Sequence, residues 1–257
     1  MGARNLRSSY GLIKLSQRLV AAISSLFVLV SILLCQNPTQ VPRYDVPSYS
    51  SNAITVYHWD DKVKTAASPD GKKKVSIEIL DDNAEDFPAK VTVDTEQGQL
   101  SATIHFGLDT EVLWSPDSRA FALTGSCCGA GGQYETDVFY VYKKRLVRVE
   151  LTTLMERAFG HPVRCSWPES PNVAAVKWLI ASKELLVAAE IMHHSNCDSF
   201  GTFKAYVVDL AGHRVVKVLN QLETKRLYHD DLGEELLQSD DVCIRHPESC
   251  HVGSYHQ

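Results

Sequence analysis

Apolar positions in this chain alternate with polar ones in short runs separated by turns, and long helical stripes are scarce. Lys74 to Leu80 sets Val75, Ile77 and Ile79 on one face, the period of a half-buried strand. Ala53 to Trp59, AITVYHW, is β-branched and aromatic and reads as a strand. Ala89–Val93 and Gln99–Phe106 form a hairpin about Glu96-Gln97-Gly98. Further β-prone runs are Ala120–Thr124, Asp137–Tyr142, Leu146–Leu151, Leu185–Ala189, Ala205–Asp209 and Arg214–Leu219. Ser68-Pro69-Asp70-Gly71 and Ser115-Pro116-Asp117-Ser118 read as turns, with proline fixing φ at the second position. Leu151–Phe159 predicts one or two helical turns. Gly160–Val173, with Pro162, Pro168 and Pro171, is a connector. Asn220–Gln238 is helix-like, carrying Leu222, Leu227, Leu232, Leu236 and Leu237, and Gly233 interrupts it.

The runs recur in a fixed order. In Val112–Leu151 a Trp leads into a Ser-Pro-Asp-Ser turn, a strand, the Gly- and Cys-rich loop Ser126–Gly132, and a hairpin about Lys143-Lys144-Arg145. From Val176 the order returns: Trp178 stands where Trp114 stood, His193–Gly201 replaces the Cys-rich loop, and a hairpin turns at Ala211-Gly212. The turn between has lost Ser-Pro-Asp and reads Ile180-Ala181-Ser182. Asp81–Asp86 is the acidic loop of an earlier, weaker copy. Units with one internal order are an internal repeat, here with a loose period absorbed by loops.

Leu113-Trp-Ser-Pro-Asp-Ser with Ala120-Phe-Ala-Leu, followed by Val138-Phe-Tyr-Val-Tyr, resembles the repeat of TolB-type β-propellers. Ala66-Ala-Ser-Pro-Asp-Gly-Lys is similar to a second copy, and Val207-Val-Asp-Leu-Ala-Gly fits the later strand and hairpin of a third. The resemblance covers about residues 64 to 219. It implies an all-β fold of antiparallel four-stranded repeats, in which Trp fills the gap between neighbouring sheets. Propellers close with about four to eight blades. Three units therefore imply an open or partial propeller, a divergent further blade, or two chains completing one another. Sheet edges left open are adhesive unless covered, and the C-terminal segment is available to cover one. A β-sandwich is the alternative.

The N-terminal region adds a membrane. Leu19–Cys35, LVAAISSLFVLVSILLC, carries no charge and is at the short end of what spans a bilayer. Arg4, Arg7, Lys14 and Arg18 precede it without an acid, which holds the N-terminus in the cytoplasm and sends the rest across. No Ala-x-Ala follows, which favours a retained anchor over a cleaved signal. Ile32-Leu33-Leu34-Cys35 resembles a lipobox but has Leu34 where a small residue belongs. The expected organisation is a basic cytoplasmic segment (1–18), an anchor or signal (19–35), a Pro-rich linker (36–52), a repeat domain (53–219), and a helix-like segment with a polar tail (220–257). The expected location of the body is periplasmic or extracellular.

Charge excludes one class of partner. Setting the four N-terminal cations aside from 26 basic residues leaves 22 against 31 acidic, a net −9 for the body. Nonspecific nucleic-acid binding depends on a basic face and is not expected.

Six cysteines follow the apolar segment, an even count that favours disulfides in an exported domain. Cys243 and Cys250 enclose a short loop containing Pro247 and are the favoured pair. Cys165 can pair with Cys197 or with Cys127 or Cys128. Ser126-Cys-Cys-Gly-Ala-Gly-Gly does not read as a phosphate loop, since a β-prone run follows and no Lys-Ser/Thr closes it. His193-His194 with Cys197-Asp198, and Cys243 and His246 with Cys250-His251, offer zinc-type ligands without the paired spacing of a zinc finger, so no metal and no cofactor are assigned. The expected function is binding by a membrane-anchored scaffold of the cell envelope, with envelope proteins as partners and no catalytic residue assigned. Its contact end is placed at the two long equivalent loops, through Cys127, Cys128, His193, His194, Cys197 and Asp198. The alternative is a hydrolase or redox enzyme in which one of those histidines lowers the pKa of a loop cysteine.

Overall fold

The structure is a computed structural model that describes residues 49–57, 65–81, 88–126, 133–160, 170–191 and 201–239. Its strands are β1 (Ile54–Tyr57), β2 (Ala66–Ala67), β3 (Lys73–Ile79), β4 (Ala89–Thr95), β5 (Gly98–Ile104), β6 (Leu108–Trp114), β7 (Ala120–Ser126), β8 (Tyr134–Tyr142), β9 (Arg145–Glu150), β10 (Asn172–Ile180), β11 (Glu184–Glu190), β12 (Phe203–Asp209) and β13 (Arg214–Asn220). Helix α1 (Thr152–Phe159) joins β9 towards β10, and α2 (Gln221–Tyr228) and α3 (Glu234–Gln238) follow β13. The strands form three antiparallel sheets built on four-strand meanders: β2-β3-β4-β5; β6-β7-β8-β9, to which β1 adds as a fifth strand beside β6; and β10-β11-β12-β13. This mostly-β architecture of open four-stranded sheets fits a partial propeller. The three sheets depart from the two of a sandwich.

Strand alternation explains the stacking. One face of the second sheet carries Val112, Trp114, Phe121, Leu123 and Phe139, which pack with Val75, Ile77, Val91 and Val93 of the first sheet. The opposite face carries Leu113, Ala120, Ala122 and Val138, which pack with Ala175, Trp178, Leu185, Val187 and Tyr206 of the third. Small residues at Ala120, Ala122, Ala175 and Ala189 let the second and third sheets approach closely.

The two tryptophans do the same job one sheet apart. Trp114 Nε1 donates to the Ala66 carbonyl of the first sheet at 3.1 Å, and Trp178 Nε1 donates to the Leu113 carbonyl of the second at 2.9 Å. Each indole thus fills an intersheet gap and satisfies its one donor on the first meander strand of the neighbour.

The Ser-Pro-Asp turns are also copies. Ser68 Oγ donates to Asp70 Oδ1 at 2.6 Å and accepts from Lys73 N; Ser115 Oγ donates to Asp117 Oδ1 at 2.7 Å and accepts from Ala120 N. The fourth turn residue has positive φ in both, Gly71 at 70° and Ser118 at 58°. Neighbouring turns are tied to one another. Ser118 Oγ accepts from Asp70 N at 3.1 Å, and Ser182 Oγ donates to Asp117 Oδ2 at 2.9 Å. Ser182 belongs to the turn that lost Ser-Pro-Asp, so this turn keeps its place in the row through a side chain of its own.

Three features differ from the sequence expectation. Strand β1 starts at Ile54, one residue later than the expected Ala53–Trp59, whose His58 and Trp59 lie outside the described residues, and adds to an edge of the second sheet, pairing Ile54 with Val112. The described part of the C-terminal segment covers a face of the third sheet: Leu232 and Leu236 pack on Val176, Leu186, Ala188, Ala205 and Leu219. The expected single helix-like stretch is two helices with a short 3-10 turn between, and Gly233 caps the second. The opposite end of the stack, the outer face of the first sheet, exposes Lys74, Glu78, Asp94, Gln99, Ser101 and Thr103. Leu80 is the exposed large apolar residue continuing that alternation; the named positions beside it are polar.

Among the described residues no helix is long and apolar enough to cross a membrane; Leu19–Cys35 lies outside them.

Candidate functional site at the loop end

The tied turns join the first and second strands of each sheet and mark one end of the stack. The connections between second and third strands therefore emerge at the opposite end. They are the acidic loop after β3, the Cys-rich loop after β7 and the His-rich loop after β11. The last two leave from equivalent positions, as the repeat implies. The residues named as contact candidates, Cys127, Cys128, His193, His194, Cys197 and Asp198, lie outside the described residues. So do Cys165, Cys243 and Cys250.

Beneath those loops the described residues build a buried polar floor. Asn172, at the start of β10, donates from Nδ2 to Tyr49 Oη at 2.9 Å and accepts at Oδ1 from Tyr134 N at 3.0 Å. Tyr49 packs edge-on against Tyr134 with ring centroids 5.0 Å apart. Its backbone N–H reaches Glu111 Oε1 at 3.3 Å. Burial first, and then the nearby Glu190 carboxyl, push the Tyr49 hydroxyl well above its ordinary pKa. Thr124 and Thr136 bridge the second and third sheets: their hydroxyls lie 3.0 Å apart, Thr136 Oγ1 donates to Val173 O at 2.7 Å, and Thr124 Oγ1 accepts from Ala175 N at 3.1 Å.

Two acids are buried at this end. Asp137, on the face turned to the first sheet, has Arg148 Nε 2.7 Å from its Oδ2. Burial pushes its carboxyl up to about 6 although Arg148 opposes the shift. Glu190 closes β11 directly before the His-rich loop and is fully buried. Among the described residues neither of its carboxyl oxygens has a hydrogen-bond partner. Burial, then the negative charge of Glu235, pushes it up to about 9, with Lys225 opposing. An uncharged Glu190 is thus the form at neutral pH.

No motif or spacing in the sequence marks Tyr49, Glu111, Asp137, Asn172 or Glu190. Glu190 did leave a trace, as a charged residue ending the apolar run Leu185–Ala189. A strand covered on both faces gives a carboxylate no route to water, so that position is unusual on pattern alone. Among the described residues no group of three or more His, Cys, Asp and Glu side chains is placed to hold a metal ion.

No family model matches the chain, and no curated protein matches it. Solved structures similar to this chain include an acylaminoacyl peptidase and a hydrazine synthase. The acylaminoacyl peptidase of Pyrococcus horikoshii is 10% identical with a TM-score of 0.34, covering 57% of this chain and 22% of its own. The hydrazine synthase of Kuenenia stuttgartiensis is 15% identical with a TM-score of 0.33, covering 72% and 52%. This chain thus spans about a fifth of the first and about half of the second. The architecture is read from the three sheets themselves.

Proposed function

We propose that the body of this chain is a TolB-type repeat scaffold, held at a membrane by its N-terminal segment and facing the extracytoplasmic side, which binds proteins of the cell envelope through its loop end. The observation that carries the reading is the asymmetry of the two ends. At one end short turns are locked to one another by side-chain hydrogen bonds. At the other, long loops leave equivalent strands above a floor of buried, mutually bonded polar groups. A rigid base holds the strand ends from which the loops leave at fixed separations, which lowers the ordering cost of binding.

The test is co-purification after cross-linking in intact cells, using the full chain and two variants. In one, residues 127–132 are replaced by Gly-Ser repeats; in the other, residues 193–200 are. The expected result is a defined set of envelope partners with the native chain, at least tenfold depleted with either variant, and no change in thermal unfolding. Partners retained by both variants, or turnover of a substrate by purified protein that the variants lose, would overturn the scaffold reading. The second outcome would favour the enzyme that uses the Cys/His loops.

A further inference from the structure

A buried carboxyl with no partner is rare, because leaving such a group unbonded costs more than most single contacts contribute. Glu190 is one, and it lies in a particular place. Alternation along β11 puts it on the face of Leu186 and Ala188, the face covered by Leu232 and Leu236 of the C-terminal segment. The groups turned towards it come from each element packed there. Glu235 on α3 repels its charged form, Lys225 on α2 attracts it, and the Tyr49 hydroxyl lies close by on the N-terminal side. Lys225 is engaged elsewhere, donating to the carbonyls of Leu237 at 3.2 Å and Ser239 at 3.1 Å. Gln221 Nε2 donates to Ser239 Oγ at 3.0 Å, so α2 and the end of α3 are tied into one body. That body, Gln221–Ser239, sits on the sheet as a cap. We propose that Glu190 is a protonation latch: neutral, it lets the cap lie against β10–β13; ionised, it drives the cap off that face.

The physical reasons are two. An ionised Glu190 loses water without gaining a hydrogen bond, which is unfavourable while the cap covers it. It also faces the charge of Glu235 in a poorly screened setting. Lifting the cap restores water to the carboxylate at the expense of apolar contacts by Leu232 and Leu236. Since burial holds the carboxyl up to about 9, the closed form prevails at neutral pH and opening is an alkaline event. The inference concerns the cap and stands apart from the loop-end reading above.

The experiment is amide hydrogen exchange on the full chain between pH 6.5 and 10, with rates divided by the intrinsic rate at each pH. In the native protein, protection of residues 221–239 is expected to fall by up to about tenfold per pH unit as pH rises towards about 9, the slope for one proton released on opening, and to level off above it. Protection of β6 and β7 stays level. Glu190→Gln, which cannot ionise, keeps the cap protected across the range. Glu235→Gln removes one of the two forces that drive the cap off an ionised Glu190, so its loss of cap protection levels off at lower pH and is smaller than in the native chain. Cap protection that is flat with pH in the native chain would overturn the latch. So would a fall that persists unchanged in Glu190→Gln.

Discussion

At the scale of the residue, the intersheet tryptophans carry the clearest test. Trp178 is buried and its indole N–H bonds the Leu113 carbonyl at 2.9 Å. Trp178→Phe keeps an aromatic ring but removes the donor and part of the volume. A loss of about 1–3 kcal/mol is expected from the unmade hydrogen bond and the residual gap. In a thermal melt that is about 2–4 °C per kcal/mol for a chain of this size. A variant as stable as the native chain would show that the indole does not bridge the sheets. Ser118 is informative in another way. Its φ of 58° is one that glycine adopts at the matching position 71, yet its hydroxyl accepts the Asp70 N–H. The serine accepts left-handed strain and contributes a bond between turns, a trade the sequence motif alone does not disclose.

At the scale of the element, the cap depends on how α2 begins. Asn220 Oδ1 accepts from Glu223 N at 2.8 Å and Glu223 Oε2 accepts from Asn220 N at 3.1 Å, a reciprocal capping box. Asn220→Ala breaks it and is expected to cost about 1 kcal/mol. Because the cap is a small unit, exchange protection of residues 221–228 should drop before that of β10–β12 does. Equal losses in both would mean that cap and sheet open together. The strands were legible in the sequence because they alternate and because Ser-Pro-Asp punctuates them. Boundaries drifted where a polar residue continues a strand: Asp137–Tyr142 begins at Tyr134 in the structure, since Glu135 and Thr136 pair with Gly125 and Thr124. The partner of β1 was not legible. Pairing of Ile54 with Val112, 58 positions apart, leaves no local signal. The polar floor was invisible for a similar reason, as Tyr49, Asn172 and Glu190 become neighbours only when three distant segments meet.

At the scale of the whole molecule, buried and exposed acids pull stability in opposite directions with pH. Asp137 and Glu190 are held up, to about 6 and about 9, chiefly by burial. Their folded forms bind more protons than the unfolded chain, so their contribution is complete below the ordinary carboxylate range. It is lost as pH rises through about 6 and then about 9. Asp70 is the reverse case: hydrogen bonds from Ser68 and Lys72 N hold it down to about 2, so its contribution is present above the ordinary range and lost as pH falls through about 2. Thermal unfolding is therefore expected at a higher temperature at pH 5 than at pH 8.5. Asp137→Asn should narrow the gap. A melting temperature that rises steadily from pH 5 to 8.5 would contradict this account of the buried acids.

The path of residues 49–57 has a mechanical consequence. This short stretch bonds the third sheet through Ser50 Oγ and the Val176 carbonyl, pairs with β6 of the second, and touches β2 and β3 of the first. Any pull applied to the polypeptide upstream of Tyr49 is thus delivered at the hub and shared among all three sheets, so the stack resists tension as one body and does not peel away layer by layer.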